Sequence, residues 1–205
     1  SIVFGALGAI GQENLKRLLA YSSINNVGFI LIGLAAATPA GISGVLVYLS
    51  IYVFMTIGSF VALLMLRDAD GKALATFDDI SGLSTTSPAL AWCLLALMFS
   101  LAGVPPMLGF FAKYGVWQAG VDAGLVWLVV ISAVASAIGA YYYLRIVFFM
   151  YFGSETEQGL DGGRTPILWA MLMGSAVVIG VTWVPGINMF GIEGAAAAAA
   201  ASLVN

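Results

Sequence analysis

The sequence predicts an all-α polytopic membrane protein, a helical bundle in which one transmembrane helix is discontinuous. Three observations predict it. The chain is 61% hydrophobic and 8% charged, whereas soluble domains carry about a quarter charged residues, so its surface suits lipid rather than water. Long apolar runs alternate with short stretches of Gly, Pro, Asp and Ser, the punctuation of helices that cross and turn. Finally, Lys113 sits inside an apolar run, just after Pro105-Pro106. Six of the seven cations lie in or near polar connections. A lysine inside a span costs roughly 2.5–3.5 kcal/mol on insertion scales and is retained where it has a use.

The elements follow in order. Residues 2–10 are apolar but shorter than the roughly 20 residues that cross a bilayer, and they lack the basic start of a signal peptide. They read as the second half of a longer helix, and the sequence as the C-terminal part of a larger subunit, one membrane domain over 1–205. Five further spans are expected at 18–37, 44–66, 88–116, 125–152 and 167–184, all helical by length and apolarity. Turn residues separate them at 38–41, 68–87, 120–124 and 153–166. Trp92, Trp117, Trp127, Tyr151, Trp169 and Trp183 stand near span ends, where aromatic belts form. The tail 194–205 is low-complexity, seven alanines after Gly194, and suggests no function.

Cations set the orientation. Lys16 and Arg17, Arg67 and Lys72, and Arg145 with Arg164 fall in or beside alternate connections. This places those connections in the cytoplasm and the C-terminus on the external side. Asp68, Asp70, Asp78 and Asp79 share the second of these loops, a solvated mixture of charge. With no histidine and one cysteine, Cys93, the chain offers no zinc cluster, iron–sulfur site or disulfide framework of its own. Cys93 reads as a small filler facing lipid or a neighbouring helix. No basic patch invites nucleic acid.

In the broken span, Pro106 removes a backbone donor and biases Pro105 away from helical ψ, while Gly103 tolerates the bend. The carbonyls one turn before the break lose their partners, so the break must line a hydrated cavity or pack inside the bundle. Lys113 follows Pro106 by seven residues, roughly 10 Å of helix. Gly109, one turn nearer the break on a similar face, leaves room for water or another helix. A cation beside a broken membrane helix points to an ion or proton path. Two readings compete with this: a kink that only shapes packing, and a lysine that snorkels to an interface marked by Tyr114 and Trp117.

Three motifs in order, Gln12-Glu-Asn-Leu-Lys-Arg-Leu-Leu-Ala-Tyr-Ser-Ser-Ile24 with Gly28, Gly103-Val-Pro-Pro-Met-Leu-Gly-Phe-Phe-Ala-Lys113, and Tyr141-Tyr-Tyr-Leu-Arg-Ile-Val-Phe-Phe-Met-Tyr-Phe152, resemble the antiporter-like membrane subunits of respiratory complex I. The third motif favours the subunit N branch. The resemblance implies a fourteen-helix subunit of two inverted repeats, of which this chain would supply the end of the ninth span through the fourteenth. It implies proton transfer along buried lysines, a glutamate and water, driven by quinone reduction elsewhere in the complex, in a bacterial inner membrane. Lys113 matches the lysine of the second broken helix, usually assigned to the outward half-channel. Flavin, iron–sulfur clusters and quinone would belong to partner subunits, with no cofactor in this chain.

The chain departs from that pattern where a histidine is frequent, carrying Asn26 instead. An amide hydrogen-bonds water but does not titrate near neutral pH, so Asn26, Tyr21 and Ser22 are candidates for lining a water wire. Helix-to-helix hydrogen bonding competes for Tyr21, Ser22 and Ser23. Lys16 and Arg17 are explained by topology, and Arg145 is expected to reach headgroups or to cap helix carbonyls. Ser132, Ser136, Gly139 and the alanines between them suit close helix packing. A cation/proton antiporter subunit and a structural scaffold are the alternative functions. Quinone binding by this chain is disfavoured, because no histidine or acidic pocket is present.

Overall fold

The computed structural model describes residues 1–67, 71–154, 165–181 and 191–204. Trp183, Arg164, Asp68 and Asp70 lie outside them. The described residues form helices α1 (Ile2–Ile10), α2 (Leu15–Ala35), α3 (Pro39–Met65), α4 (Leu83–Thr86), α5 (Pro88–Ala102), α6 (Leu108–Asp122), α7 (Val126–Phe152), α8 (Pro166–Val181) and α9 (Ile192–Val204). α2, α3 and α7 are each long and apolar enough to cross a membrane unaided. α5 and α6, with 15 residues apiece, are each about 22 Å long and too short to do so separately.

Helix starts follow the capping chemistry of the sequence. The Asn14 side chain accepts from the backbone N–H groups of Lys16 and Arg17 at 3.0 and 3.2 Å, which begins α2 three residues earlier than hydropathy suggests. Thr38 Oγ1 accepts from Gly41 N at 3.0 Å with Pro39 in the first turn. The 38–41 stretch is therefore a helix start rather than a break, and α3 begins at Pro39, not 44. At the other end of the broken span, α6 continues to Asp122, past the expected 116, and Gly124 makes the turn with positive φ. Residues 192–204, which include most of the tail read as low-complexity from sequence, form a helix that packs on α3.

Packing centres on α3, which contacts α2, α5, α6, α8 and α9, while α7 lies against α1 and α5. Cys93 is buried, its Sγ 3.4 Å from Met173 Sδ of α8, so it faces a helix. The connection between α3 and α5 closes one end of the bundle. Leu15 N donates to Ala75 O at 2.7 Å, Gly82 N to Phe149 O at 3.2 Å and Ser81 Oγ to Ser154 O at 2.7 Å. Asp79 pins this connection by accepting from the N–H groups of Ala75 and Thr76 at 2.9 and 2.8 Å. On α7, Val126, Trp127, Val130, Val134, Tyr141 and Phe148 are exposed, a face suited to hydrocarbon.

Candidate functional site

The site begins where α5 ends. Gly103 adopts φ +83°, the left-handed conformation that closes many helices. Val104 N then donates to Phe99 O and Gly103 N to Ser100 O, each at 3.0 Å, the paired bonds of a Schellman ending. A helix leaves four carbonyls without intrahelical partners. Here two are taken by these bonds, and the remaining two by Lys113. Its Nζ donates to Leu101 O at 3.0 Å and Ala102 O at 2.9 Å. The third ammonium donor goes to Ser136 Oγ of α7 at 3.0 Å. An ammonium has three N–H groups, and the site supplies three acceptors.

The geometry decides between the readings of Lys113. Its side chain is 4% exposed and points back across the break onto the carbonyl end of α5, where the helix dipole is negative. It does not snorkel. Tyr114 is exposed, but Trp117 turns inward and packs against Phe29, with ring centroids 6.2 Å apart. Its ring therefore packs into the bundle.

The other break residues shape this cradle. Gly109 lets α6 approach α5 so closely that a Cβ there would collide with the backbone carbonyl of Ser100. Its N–H donates to Ser100 Oγ at 3.0 Å. The room at Gly109 is thus filled by the neighbouring half-helix. A Cβ at Gly103 would lie 3.0 Å from Lys113 Nζ. Pro105 and Pro106, joined by a cis bond, carry the chain from one half-helix to the other.

A second polar group gathers around Asn26, about one turn before Phe29 on α2. Lys113 Nζ sits 5.0 Å from the centre of the Phe29 ring, within cation–π range, and Phe29 stacks on Tyr48 at 6.4 Å and 15°. Tyr48 donates to Asn26 Oδ1 at 2.7 Å. Asn26 Nδ2 faces Ser22 O at 2.9 Å and the hydroxyls of Ser22 and Tyr143 at 3.3 Å. Ser22 and Tyr143 hydroxyls bond each other, and Asn25 Nδ2 donates to Tyr142 OH at 3.3 Å. Ser22 and Asn26 are thus brought together. Tyr21 is not: it is 37% exposed, and its ring covers Gly8 of α1.

Sequence reasoning missed Phe29, Tyr48, Asn25 and the acceptor role of Ser136. The pair Ser22 and Asn26, one turn apart on α2, marks the polar face, and Asn25 beside it was a readable signal. Among the described residues Arg145 caps no carbonyl. Its guanidinium lies 4.1 Å from the centre of the Phe77 ring and 6.0 Å from that of Phe149.

These features define a class: a multi-pass membrane protein whose broken helix is closed by a buried lysine. Residues 1–160 match the NADH:quinone oxidoreductase/Mrp antiporter transmembrane family, and the chain belongs to that family. It is 63% identical over 179 residues to subunit N of NADH-quinone oxidoreductase from Erythrobacter litoralis, a match covering 87% of this chain and 37% of that protein. It is 52% identical to the subunit N of Rhodobacter capsulatus, covering 100% of this chain and 42% of the relative. A chain of Thermus thermophilus respiratory complex I superposes with a TM-score of 0.79 at 30% identity, covering 94% of this chain and 43% of that one. The Mrp complex of Dietzia sp. shares the fold at a TM-score of 0.79 and 24% identity, covering 96% and 45%. The chain thus spans about two fifths of the length of the curated relatives it matches.

Proposed function

We propose that the chain is part of the proton-translocating membrane subunit of an NADH:quinone oxidoreductase, and that Lys113 is a proton-transfer group within it. The carrying observation is a buried ammonium whose three donors meet the broken end of α5 and Ser136. A neutral amine has only two N–H donors for these three acceptors. Proton release turns a lone pair toward Ser136, whose hydroxyl then donates to the amine while both carbonyls of α5 keep their N–H donors. Proton transfer and the orientation of the Ser136 hydroxyl become linked. Gly103 and Gly109 permit the close contacts this requires, and Pro105 and Pro106 keep the two half-helices separate.

In this reading, flavin, iron–sulfur clusters and quinone reside in partner subunits, and quinone reduction there drives transfer here. The 63% identity to a subunit N supports this over a cation/proton antiporter subunit. The protein would reside in a bacterial inner membrane, with the 66–88 connection cytoplasmic and the α9 end external, as the cation distribution indicates. An introduced thiol at Ser202 labelled only from the cytoplasmic face would reverse that orientation.

The test of Lys113 uses the intact complex carrying Lys113→Met or Lys113→Arg, with assembly verified. Methionine bears no proton and arginine does not release one. Both variants are expected to lose most NADH-driven proton pumping, and wild-type pumping and quinone reduction in Lys113→Met would remove Lys113 from the mechanism.

A further inference from the structure

We propose that a hydroxyl-lined cavity between α2, α3 and α5 is a hydration site that holds one water and serves proton exchange with Lys113 from the side of the 66–88 connection. Ser22, Ser23, Tyr52, Thr56 and Ser59 line the cavity beside the apolar Leu19, Phe60 and Leu101, with room of about 10 Å³ for the centre of a water-sized sphere. That is about the space one water needs. Its place along the bundle is fixed by Met55 Sδ, which accepts from Ser100 Oγ at 3.1 Å. Thr56 thus stands level with the last turn of α5. Ser22 lies seven residues before Phe29 on α2, toward the end closed by the 66–88 connection.

The lining is hydrogen-bonded in a way that leaves one place unfilled. Ser23 donates to Leu19 O at 3.0 Å and Ser59 to Met55 O at 2.7 Å, so each has spent its proton and keeps lone pairs. Ser22 is engaged with Tyr143 and Asn26. Thr56 Oγ1 is buried with no partner among the described residues. Hydroxyls elsewhere on α3 bond back to the carbonyl four residues earlier, as Ser50 and Ser59 do, and Thr56 does not. A buried hydroxyl left unsatisfied costs about 1–3 kcal/mol. Water in the adjacent cavity removes that cost and has enough polar neighbours to be held.

The site matters because the neighbouring cluster is unsuited to passing protons. Its centre is the Asn26 amide, which accepts from Tyr48 and donates to Tyr143 but does not exchange protons as a hydroxyl or imidazole does. Water does. One O–H bond forms on it as another breaks toward the next oxygen, and the molecule is unchanged. The last acceptor is the lone pair of neutral Lys113, which becomes the ammonium seen in the cradle.

This inference rests on Lys113 being a transfer group, so both are tested together in the intact complex. A high-resolution map is expected to show ordered water about 3 Å from Thr56 Oγ1. Thr56→Val, which keeps shape and removes the hydroxyl, should lower protons pumped per quinone reduced several-fold, and Thr56→Ser should restore the ratio. A structural role alone would not give that rescue. Loss of pumping in Lys113→Met with a normal ratio in Thr56→Val overturns the hydration site alone, whereas normal pumping in Lys113→Met overturns the reading beneath it. If Thr56→Val does not assemble, the wild-type map decides: water at Thr56 supports the site, and a dry cavity overturns it.

Discussion

Two polar groups sit near Phe29, one around Lys113 and one around Asn26, and they are built on different principles. Around Lys113, a charged side chain answers carbonyls that a helix ending has exposed. Around Asn26, neutral side chains answer one another. The first arrangement has two states, because Ser136 accepts from the ammonium and donates to the neutral amine while the two carbonyls accept in both. The second keeps its bonds whatever the protonation of the lysine, as none of them ends on it. A membrane bundle can therefore hold a switchable site on α5, α6 and α7 and a fixed clasp on α2, α3 and α7.

The sharpest way to break this comparison is to separate the half-helices. Gly109→Val drives a branched side chain into the carbonyl of Ser100. It should destabilise by about 3 kcal/mol or more, read as loss of the subunit from purified complex. Wild-type assembly would show that α5 and α6 are not held by this contact. Next in size is Ser136→Ala, which removes the acceptor of the third ammonium N–H at a cost of about 1.5–3 kcal/mol. Protons pumped per quinone should fall while assembly persists, with Ser136→Thr closer to wild type.

Tyr143→Phe tests the clasp. It deletes the hydroxyl shared by Ser22 and Asn26, should lower the thermal stability of the complex by about 1 kcal/mol, and should change the pumping ratio less than Ser136→Ala does. An equal or larger fall in that ratio would erase the distinction between switch and clasp.

The smallest effect belongs to Asp79, outside the membrane. Partial burial raises its pKa, but hydrogen bonding to Thr76 and from the N–H groups of Ala75 and Thr76, with Lys72 nearby, outweighs this and leaves it below the usual aspartate value. A carboxylate with a lowered folded pKa stabilises above its unfolded value and loses that contribution as pH falls through the folded one. Acidification through that window should loosen the 71–87 connection slightly in wild type and less in Asp79→Asn, as hydrogen exchange of Ala75 and Thr76 would report.

The helices were legible in the sequence because hydropathy over long runs and Pro-Gly punctuation are local signals. So was Lys113, since a lone cation in an apolar run is conspicuous. Thr38-Pro39 was misread because proline stops a helix in its interior and starts one in its first turn, and the sequence alone does not say which side the helix lies on. The partners of Lys113 were not legible at all. Two are backbone carbonyls, which every residue carries, and the third is a serine 23 positions away on another helix. Tyr48 was hidden in the same way, as one aromatic in an apolar span whose hydroxyl finds its amide only through packing.

Phe29 has a consequence of its own. Its ring attracts the lysine charge and stacks on Tyr48, yet carbon and π-electrons offer no seat for a proton at neutral pH. It is transparent to electric field and opaque to the particle that carries the charge. When Lys113 gains or loses its proton, the dipoles of Tyr48 and Asn26 feel the change beside a ring that carries no proton itself.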